Sequence, residues 1–489
     1  MKISKILLFI FSVLFGLLAL CFVMPSDGLT VAGVRLDYPS LLDILGKDGE
    51  SQDTVPVLSP EELMAQRLSE LQGEKIEEFR DFCETNPARL YFPDNDESYL
   101  DPFFDAMDSA SVKQMRIVHY GDSQLECDRI SGDLRERFQS QFGGHGVGLV
   151  PAYQTIATYS LSQSTSPELG HYLNYGPASA RAGHNMYGPM AQVNHVSGNA
   201  YITFQHRDAK TYPHAFPVSR IVVLADGEGS MSVRCDSVVR SLKLEGSGRY
   251  VCALPGGTKR LTLSISGEFD VYGIQLDDNV GVTIDNIPMR GCSGTNFLSI
   301  SKKSIRPFFE NENIKLIILQ YGGNSVPHLN GPNSISKYMM SLRNSIRMFR
   351  KMSPESNILF VGPADMATIK NGELQTWPVL PELIDSLREM SLDEGVAFWD
   401  MYSAMGGKGS IIAWNKAVPQ LAGSDYIHFT PKGAKKISDI LYETLQFYYK
   451  FYRMRVGKEQ DALRQEIDSI DSSAAAEIEG KNENDGKKL

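Results

Sequence analysis

The chain has 489 residues, with 48 Lys plus Arg against 59 Asp plus Glu and a formal charge of -11. One domain takes roughly 100 to 200 residues, so more than one folding unit is expected, and the acidic balance gives no reason to hold a polyanion, which sets nucleic acid aside as a partner. With 42% hydrophobic, 22% charged and 10% aromatic residues, the composition excludes global disorder and a fibrous repeat and supplies material for real cores.

Ile6 to Val23 is an uncharged run of 18 residues, preceded by Lys2 and Lys5 and followed by Pro25 and Asp27. At about 1.5 Å per residue it just spans a hydrocarbon layer of about 30 Å. The positive charges lie on the short N-terminal side, which predicts that everything after Asp27 stands outside the cytoplasm, periplasmic or at the cell surface. A retained membrane anchor fits this pattern best. A cleaved signal would end at an A-x-A-like site, which is absent, and lipidation of Cys21 would call for a small residue where Leu20 stands.

Gly28 to Pro60, punctuated by Asp, Gly, Ser and Pro, reads as a spacer. Ser59-Pro60-Glu61-Glu62 then opens a helix: a capping hydroxyl, a Pro at the first helical position, early carboxylates, and apolar residues recurring through Leu63, Leu68, Leu71, Ile76 and Phe79. Arg116 to Tyr120 is a short β run and Ile130 to Phe142 an amphipathic helix. From about Gly146 to Asp278 the helical period gives way to short alternating runs separated by Gly, Asn, Asp and Pro, which predicts an all-β insertion of sandwich type. Afterwards Gly281 to Ile287, Lys315 to Gln320, Asn357 to Val361 and Val396 to Trp399 read as buried strands. Helices are expected between them at Asn296 to Glu310, Ser336 to Met352 and Val379 to Leu392, and a last helix from Pro431 to about Tyr452.

The fold class expected is therefore α/β, a parallel sheet covered on both faces and interrupted by a β domain. The segments are 1–28 for the membrane or signal segment, 29–100 for linker and N-terminal helix, 101–145 and 281–455 for the two parts of the α/β domain, and 146–280 for the insertion. The remainder, 456–489, reads as a disordered tail, because Lys458 to Leu489 holds nine acidic and five basic residues and no aromatic one. The six cysteines, Cys21, Cys83, Cys127, Cys235, Cys252 and Cys292, lack the close pairs of a zinc site, and the histidines form no ligand constellation; no metal and no cofactor is expected. Cys235 and Cys252 read equally as a disulfide across neighbouring strands or as two buried thiols.

Chemistry is concentrated in four places. Ile117 to Gln124 runs from a strand through Gly121-Asp122-Ser123 into a helix, placing a hydroxyl at the carboxyl end of a parallel strand, where open α/β sheets form their active sites. A serine needs a base within hydrogen-bond reach, and the base needs an acceptor that fixes its tautomer. Asp425 and His428, separated by Tyr426 and Ile427 just before the last helix, are able to supply both. Gly291-Cys-Ser-Gly294 and Gln320-Tyr-Gly322-Gly-Asn324 each follow a strand; a glycine there lets a backbone N–H approach substrate, and the Asn324 amide is a donor for developing negative charge. His119, inside a strand, reads as a core or second-layer histidine rather than a reacting one.

These blocks, in this order, resemble those of the SGNH/GDSL hydrolase superfamily over roughly 115–142 and 282–452. The resemblance implies a flavodoxin-like three-layer α/β/α domain in which Ser123 is the nucleophile, His428 the general base and then acid, and Asp425 its orienting partner. The oxyanion hole would be the amide of Ser123, Gly294 and Asn324, with Gly291 also available in that segment. Gln124 in place of the usual Leu, and Ser325 where many members carry Asp, depart from the pattern without removing a reacting atom. Gln124, His328 and Trp414 are candidates for the pocket wall. A β insertion at this place is similar to that of exported peptidoglycan O-acetylesterases, which implies a serine esterase acting on an acylated, by preference acetylated, glycan. Transfer of the acyl group to a sugar hydroxyl and a silent glycan-binding role are the other readings. Tyr201, Tyr212, Tyr250 and Tyr272 are available to stack on sugars or to fill a core, the latter preferred.

Overall fold

The computed structural model describes residues 59–470 except 167, 168 and 259, together with residue 472, the strands Leu29–Val31 and Val34–Leu36, and residues 12, 13, 15, 16 and 19. The expected membrane segment lies, apart from those five residues, outside the described part; no helix among the described residues is long and apolar enough to cross a membrane. Within 1–67, the stretch read as a spacer contains an antiparallel hairpin pairing Leu29 with Leu36. Ser59 caps the helix Pro60–Thr85 reciprocally: the Glu62 N–H donates to Ser59 Oγ at 3.2 Å and the Ser59 N–H to Glu62 Oε2 at 2.8 Å.

The described residues of the unit 68–489 are built on a six-stranded sheet in the order Val282–Pro288, Met115–Gly121, Ile314–Gln320, Asn357–Val361, Ala397–Trp399 and Leu90–Tyr91. The first five are parallel, as expected. Leu90–Tyr91 adds an antiparallel edge that the sequence does not announce, since two residues are too few to show a period. Alternation along the strands divides the core. Val118, Tyr120, Ile317, Leu319, Ile358 and Phe360 face the helices Lys302–Phe309, Pro332–Met352 and Leu380–Asp393; Ile117, Leu316, Ile318, Leu359 and Val361 face Asp101–Asp108, Ser131–Phe142 and Pro431–Arg455.

The insertion is β throughout, yet it is one continuous eight-stranded sheet rather than the two separate sheets of a sandwich. Its long strands Gln192–His206, Arg220–Cys235 and Arg260–Asp277 carry Gly198, Gly229 and Gly267 side by side in register, so the sheet can crease there and enclose a core of its own. At Gly267 the backbone has φ +143, and a Cβ would stand 2.5 Å from the Glu228 carbonyl oxygen, so no other residue fits. Before the crease, Arg220–Cys235 is buried on both faces: Ile221 and Val223 point into the insertion, Val222 and Leu224 into the core of the α/β layers. Tyr212 and Tyr272 are buried filler, whereas Tyr201 is exposed. Cys235 and Cys252 are free thiols, and burial pushes both above the ordinary thiol range.

The tail is in part a correction. Residues 460–470 are helical, with Leu463 and Ile467 buried and Glu466 paired to Lys75 at 3.2 Å. Two apolar residues one turn apart suffice when a packed surface already awaits them, which composition averaged over the whole tail conceals.

A largely buried charge cluster joins insertion and sheet. Arg116, on the second strand, pairs with Asp277 at the end of the insertion, with Asp285 at 2.5 Å and with Glu312 at 3.2 Å. Arg220 and Arg249 of the insertion complete it, at 2.6 Å from Asp277 and 2.7 Å from Glu312. Three guanidinium groups against three carboxylates leave it neutral; removing one partner strands a buried charge. Arg116→Met is therefore expected to lower stability by about 3 to 5 kcal/mol, read as a shifted urea midpoint; an unshifted midpoint would refute this role.

Candidate active site

The strand Met115–Gly121 ends level with its neighbours, Gly121 lying opposite Pro288 on one side and Gln320 on the other, so the three following loops converge. Asp122 caps the 3₁₀ segment Ser123–Asp128 by accepting from the Gln124 N–H at 2.9 Å, and the α-helix begins only at Ser131. Ser123 thus stands at the start of the segment with its N–H among the donors that no helical carbonyl uses.

The loop carrying Asp425 and His428 is a tight hairpin. The Gly423 N–H donates to the His428 carbonyl at 2.7 Å and the Thr430 N–H to the Leu421 carbonyl at 2.9 Å, with Tyr426 at φ 55 at the tip. Thr430 then caps the helix Pro431–Arg455, and Gly433 lets the loop lie against it: a Cβ there would be 1.9 Å from the Leu421 oxygen. Asp425 Oδ1 accepts from the N–H groups of Ile427 (3.0 Å) and His428 (3.1 Å), and Oδ2 accepts from His428 Nδ1 at 2.7 Å. One carboxylate therefore shapes the turn and orients the ring. Burial pushes Asp425 up, but these donors together hold it below the ordinary carboxylate range.

Across the cleft, His428 Nε2 lies 2.7 Å from Ser123 Oγ. A serine and a histidine 305 positions apart, with the aspartate three residues before the histidine, form one continuous hydrogen-bonded chain, serine to imidazole to carboxylate. The ring keeps 38% of its surface, so it is open to a reactant. A cavity of about 580 Å³ opens over it, walled by Ser123, Gln124, Asn324, His328 and Gly291 among others.

Each remaining candidate has a definite place. Gln124 lines the cavity and also braces it: its Nε2 donates to the Ile427 carbonyl at 2.7 Å, and its Oε1 accepts from the Phe429 N–H at 3.3 Å, clasping the residues on both sides of His428. A leucine makes neither bond. Asn324 Nδ2 donates to Asp122 Oδ2 at 3.1 Å and to the Cys292 carbonyl at 3.2 Å. His328 lines the cavity at the end of the segment Gly323–His328.

Two candidates fall outside it. Gly294 is turned away, its N–H given to Cys292 Sγ at 3.3 Å and its α-carbon packed against Tyr321 and Leu342; Gly291 lines the cavity in its place. Spacing alone does not distinguish two glycines three residues apart in a loop. Trp414 is buried against Phe429, ring centroids 5.5 Å apart, and supports the histidine loop from behind. His119 is a buried second-layer residue between Ser131 and Gln320; burial lowers it to about 4, so it is neutral and donates from Nε2 to Gln320 Oε1 at 3.1 Å.

Asp122, and with it Glu126, Arg129 and Arg290, which belong to none of the candidate residues named from the sequence, line the same cavity. For Asp122 the signal lay in the motif itself: an acid beside the serine able to hold Asn324 from a different loop. Its burial raises it to about 6.

No family model matches the chain, and no curated protein matches it. Among solved structures, a peptidoglycan O-acetylesterase is similar over 74% of this chain and 99% of its own, at 20% identity and a TM-score of 0.60. A family two carbohydrate esterase from Clostridium thermocellum, with cellohexaose, is 11% identical over 57% of this chain and 98% of its own, with a TM-score of 0.25. An acetyl xylan esterase is 14% identical over 34% and 81%, with a TM-score of 0.26. The last two overlaps are too slight to carry weight. The first shows that this chain shares the fold of that O-acetylesterase, an α/β fold of the kind the four motif blocks lead one to expect.

Gln124→Leu keeps bulk but frees the histidine loop, so reaction of Ser123 with an active-site phosphonate is expected to slow by about 10- to 100-fold in stopped assays. Asp122 supplies a pH prediction. A carboxyl raised from 3.8 to about 6 by burial contributes stability that is present below its unfolded value and lost as pH rises through the folded one. The melting temperature of the parent relative to Asp122→Asn should therefore decline between about pH 4 and pH 6 and level off above; a pH-independent difference would exclude a buried, titrating Asp122.

Proposed function

We propose that the protein is a serine esterase that removes an acyl group, by preference acetyl, from a glycan, and that it works outside the cytoplasm. The observation that carries this reading is the chain from Ser123 Oγ through His428 to Asp425, 2.7 Å at each step, open to a cavity of glycan-ester size. Likeness of fold to an enzyme described as a peptidoglycan O-acetylesterase supports the glycan ester. The run Ile6 to Val23 behind Lys2 and Lys5 supports export and tethering.

In the proposed reaction Ser123 Oγ attacks the acyl carbon while His428 Nε2 takes its proton, and Asp425 steadies the imidazolium. The tetrahedral oxygen is met by the Ser123 amide, by Asn324, whose 3.2 Å bond to the Cys292 carbonyl is the weaker of its two and yields to an oxyanion, and by the Gly291 loop. Nε2 returns the proton to the sugar oxygen as the ester bond breaks. Water, deprotonated by the same nitrogen, then releases the acid and regenerates the serine.

The test is acetyl release from a chromogenic acetyl ester and from acetylated peptidoglycan by the protein lacking residues 1–28. Ser123→Ala should abolish it, and Asn324→Ala should lower turnover by about 100- to 1000-fold. Unchanged turnover in either variant would remove that residue from the mechanism. Capture of the acetyl group by an added sugar rather than water would redirect the reading to a transferase.

A further inference from the structure

A second, smaller cavity of about 190 Å³ lies between the serine segment and the inserted sheet, walled by Leu149, Pro151, Ile156, Tyr175 and Gln192. It shares Glu126 and Arg290 with the cavity over Ser123, so these two side chains form the seam between them. Glu126 is three residues beyond the serine, at a kink of the 3₁₀ segment with φ -57 and ψ 150, and only 8% of its side chain is exposed.

The charges at this seam do not balance. Arg290 grips Glu126 through Nε at 2.5 Å and Nη2 at 2.7 Å. Arg129 stands 4.0 Å from the same carboxylate and is pinned elsewhere, donating to the carbonyls of Glu126 at 2.8 Å and Phe429 at 3.1 Å. Two guanidinium groups and one carboxylate leave one positive charge. Of the two guanidinium groups Arg290 is the one that reaches outward: its side chain is 68% exposed, and its Nη1 makes no hydrogen bond among the described residues. Two further acids line the main cavity and are buried: Asp122 accepts from the Gln124 N–H and from Asn324 of another loop, and Asp365 from Thr376 and the Ile411 N–H, so neither is paired with Arg290.

A guanidinium held along one edge presents its remaining N–H groups in a fixed plane that suits a planar oxyanion. A single uncompensated charge matches a monoanion; a phosphate dianion would leave a surplus beside Glu126. We propose that Arg290 sets substrate specificity by binding a carboxylate on the acylated glycan, with the smaller cavity under the inserted sheet receiving the adjoining part of the substrate. This rests on the esterase reading above. The insertion then acts as a wall of the substrate site, through Leu149, Tyr175 and Gln192.

The competing account is that Arg290 merely neutralises Glu126, and the two accounts separate by a pair of variants. Acetyl release is measured on an O-acetylated oligogalacturonide and on its methyl ester, with 4-nitrophenyl acetate as the neutral reference. The full-length protein should favour the acid in kcat/KM by about tenfold or more, the usual worth of a hydrogen bond to a charged group. Arg290→Gln should bring that ratio near one. Glu126→Gln, which frees the guanidinium, should hold or raise it. Loss of the preference in both variants, or no preference in the parent while 4-nitrophenyl acetate is hydrolysed, overturns the proposal and leaves the esterase reading standing. No hydrolysis of any ester overturns the esterase reading. In that case calorimetric titration of the Ser123→Ala protein with the acid and its methyl ester decides the anion site, equal affinities counting against it.

Discussion

Parallel pairing of the central strands is the constraint on which this molecule depends. Because Gly121, Pro288 and Gln320 end at one level, the loops after them open on the same side, and the last helix returns its leading loop to that edge. The serine, the Asn324 amide, the Gly291 loop and the histidine therefore meet without any one of them being near another in sequence. Each loop is then fixed by a bond to a different loop: Gln124 to the backbone on either side of His428, Asn324 to Asp122 and to the Cys292 carbonyl. A serine and histidine held in this way are already in hydrogen-bond contact before any ligand arrives.

The charges are partitioned along the strands. At the amino ends Arg116, Arg220 and Arg249 balance three carboxylates and are neutral as a set, which holds the insertion to the sheet; at the carboxyl ends Arg290, His428 and Asp425 are partly exposed. Buried pairs are costly to break and poor at responding to a ligand, whereas an exposed guanidinium is screened by water and free to exchange partners. The same residue type thus serves attachment at one end of the sheet and recognition at the other. The insertion takes part in both, since its Arg220 and Arg249 complete the buried cluster and its Leu149, Tyr175 and Gln192 wall the smaller cavity.

Much of this was legible in the residues. The continuous apolar runs Lys315 to Gln320 and Asn357 to Val361 announced buried parallel strands, and the Ser59 box and Thr430-Pro431 announced helix starts where the structure has them. The four blocks nominated Ser123, Asn324, Asp425 and His428, and the structure brings these together. Local patterns carry such information because strand period, capping and turn chemistry act over a few residues.

What the sequence could not convey was anything decided by which surfaces face one another. Two glycines in one loop look alike until one N–H is taken by a cysteine sulfur; a tryptophan near the motif looks like a wall until Phe429 covers it; a charged tail looks unstructured until Leu463 and Ile467 find a surface. Whether the β region was one sheet or two depended on three glycines aligning across strands 30 to 70 residues apart. By itself the sequence determined the α/β class and the order of the elements, because those follow from short-range periodicity, and its four ordered blocks nominated Ser123, Asn324, Asp425 and His428 as site candidates. Only the tertiary structure decided which glycine lines the cavity, what braces the histidine and that Arg290 stands between two cavities, because those depend on distances between segments remote in the chain.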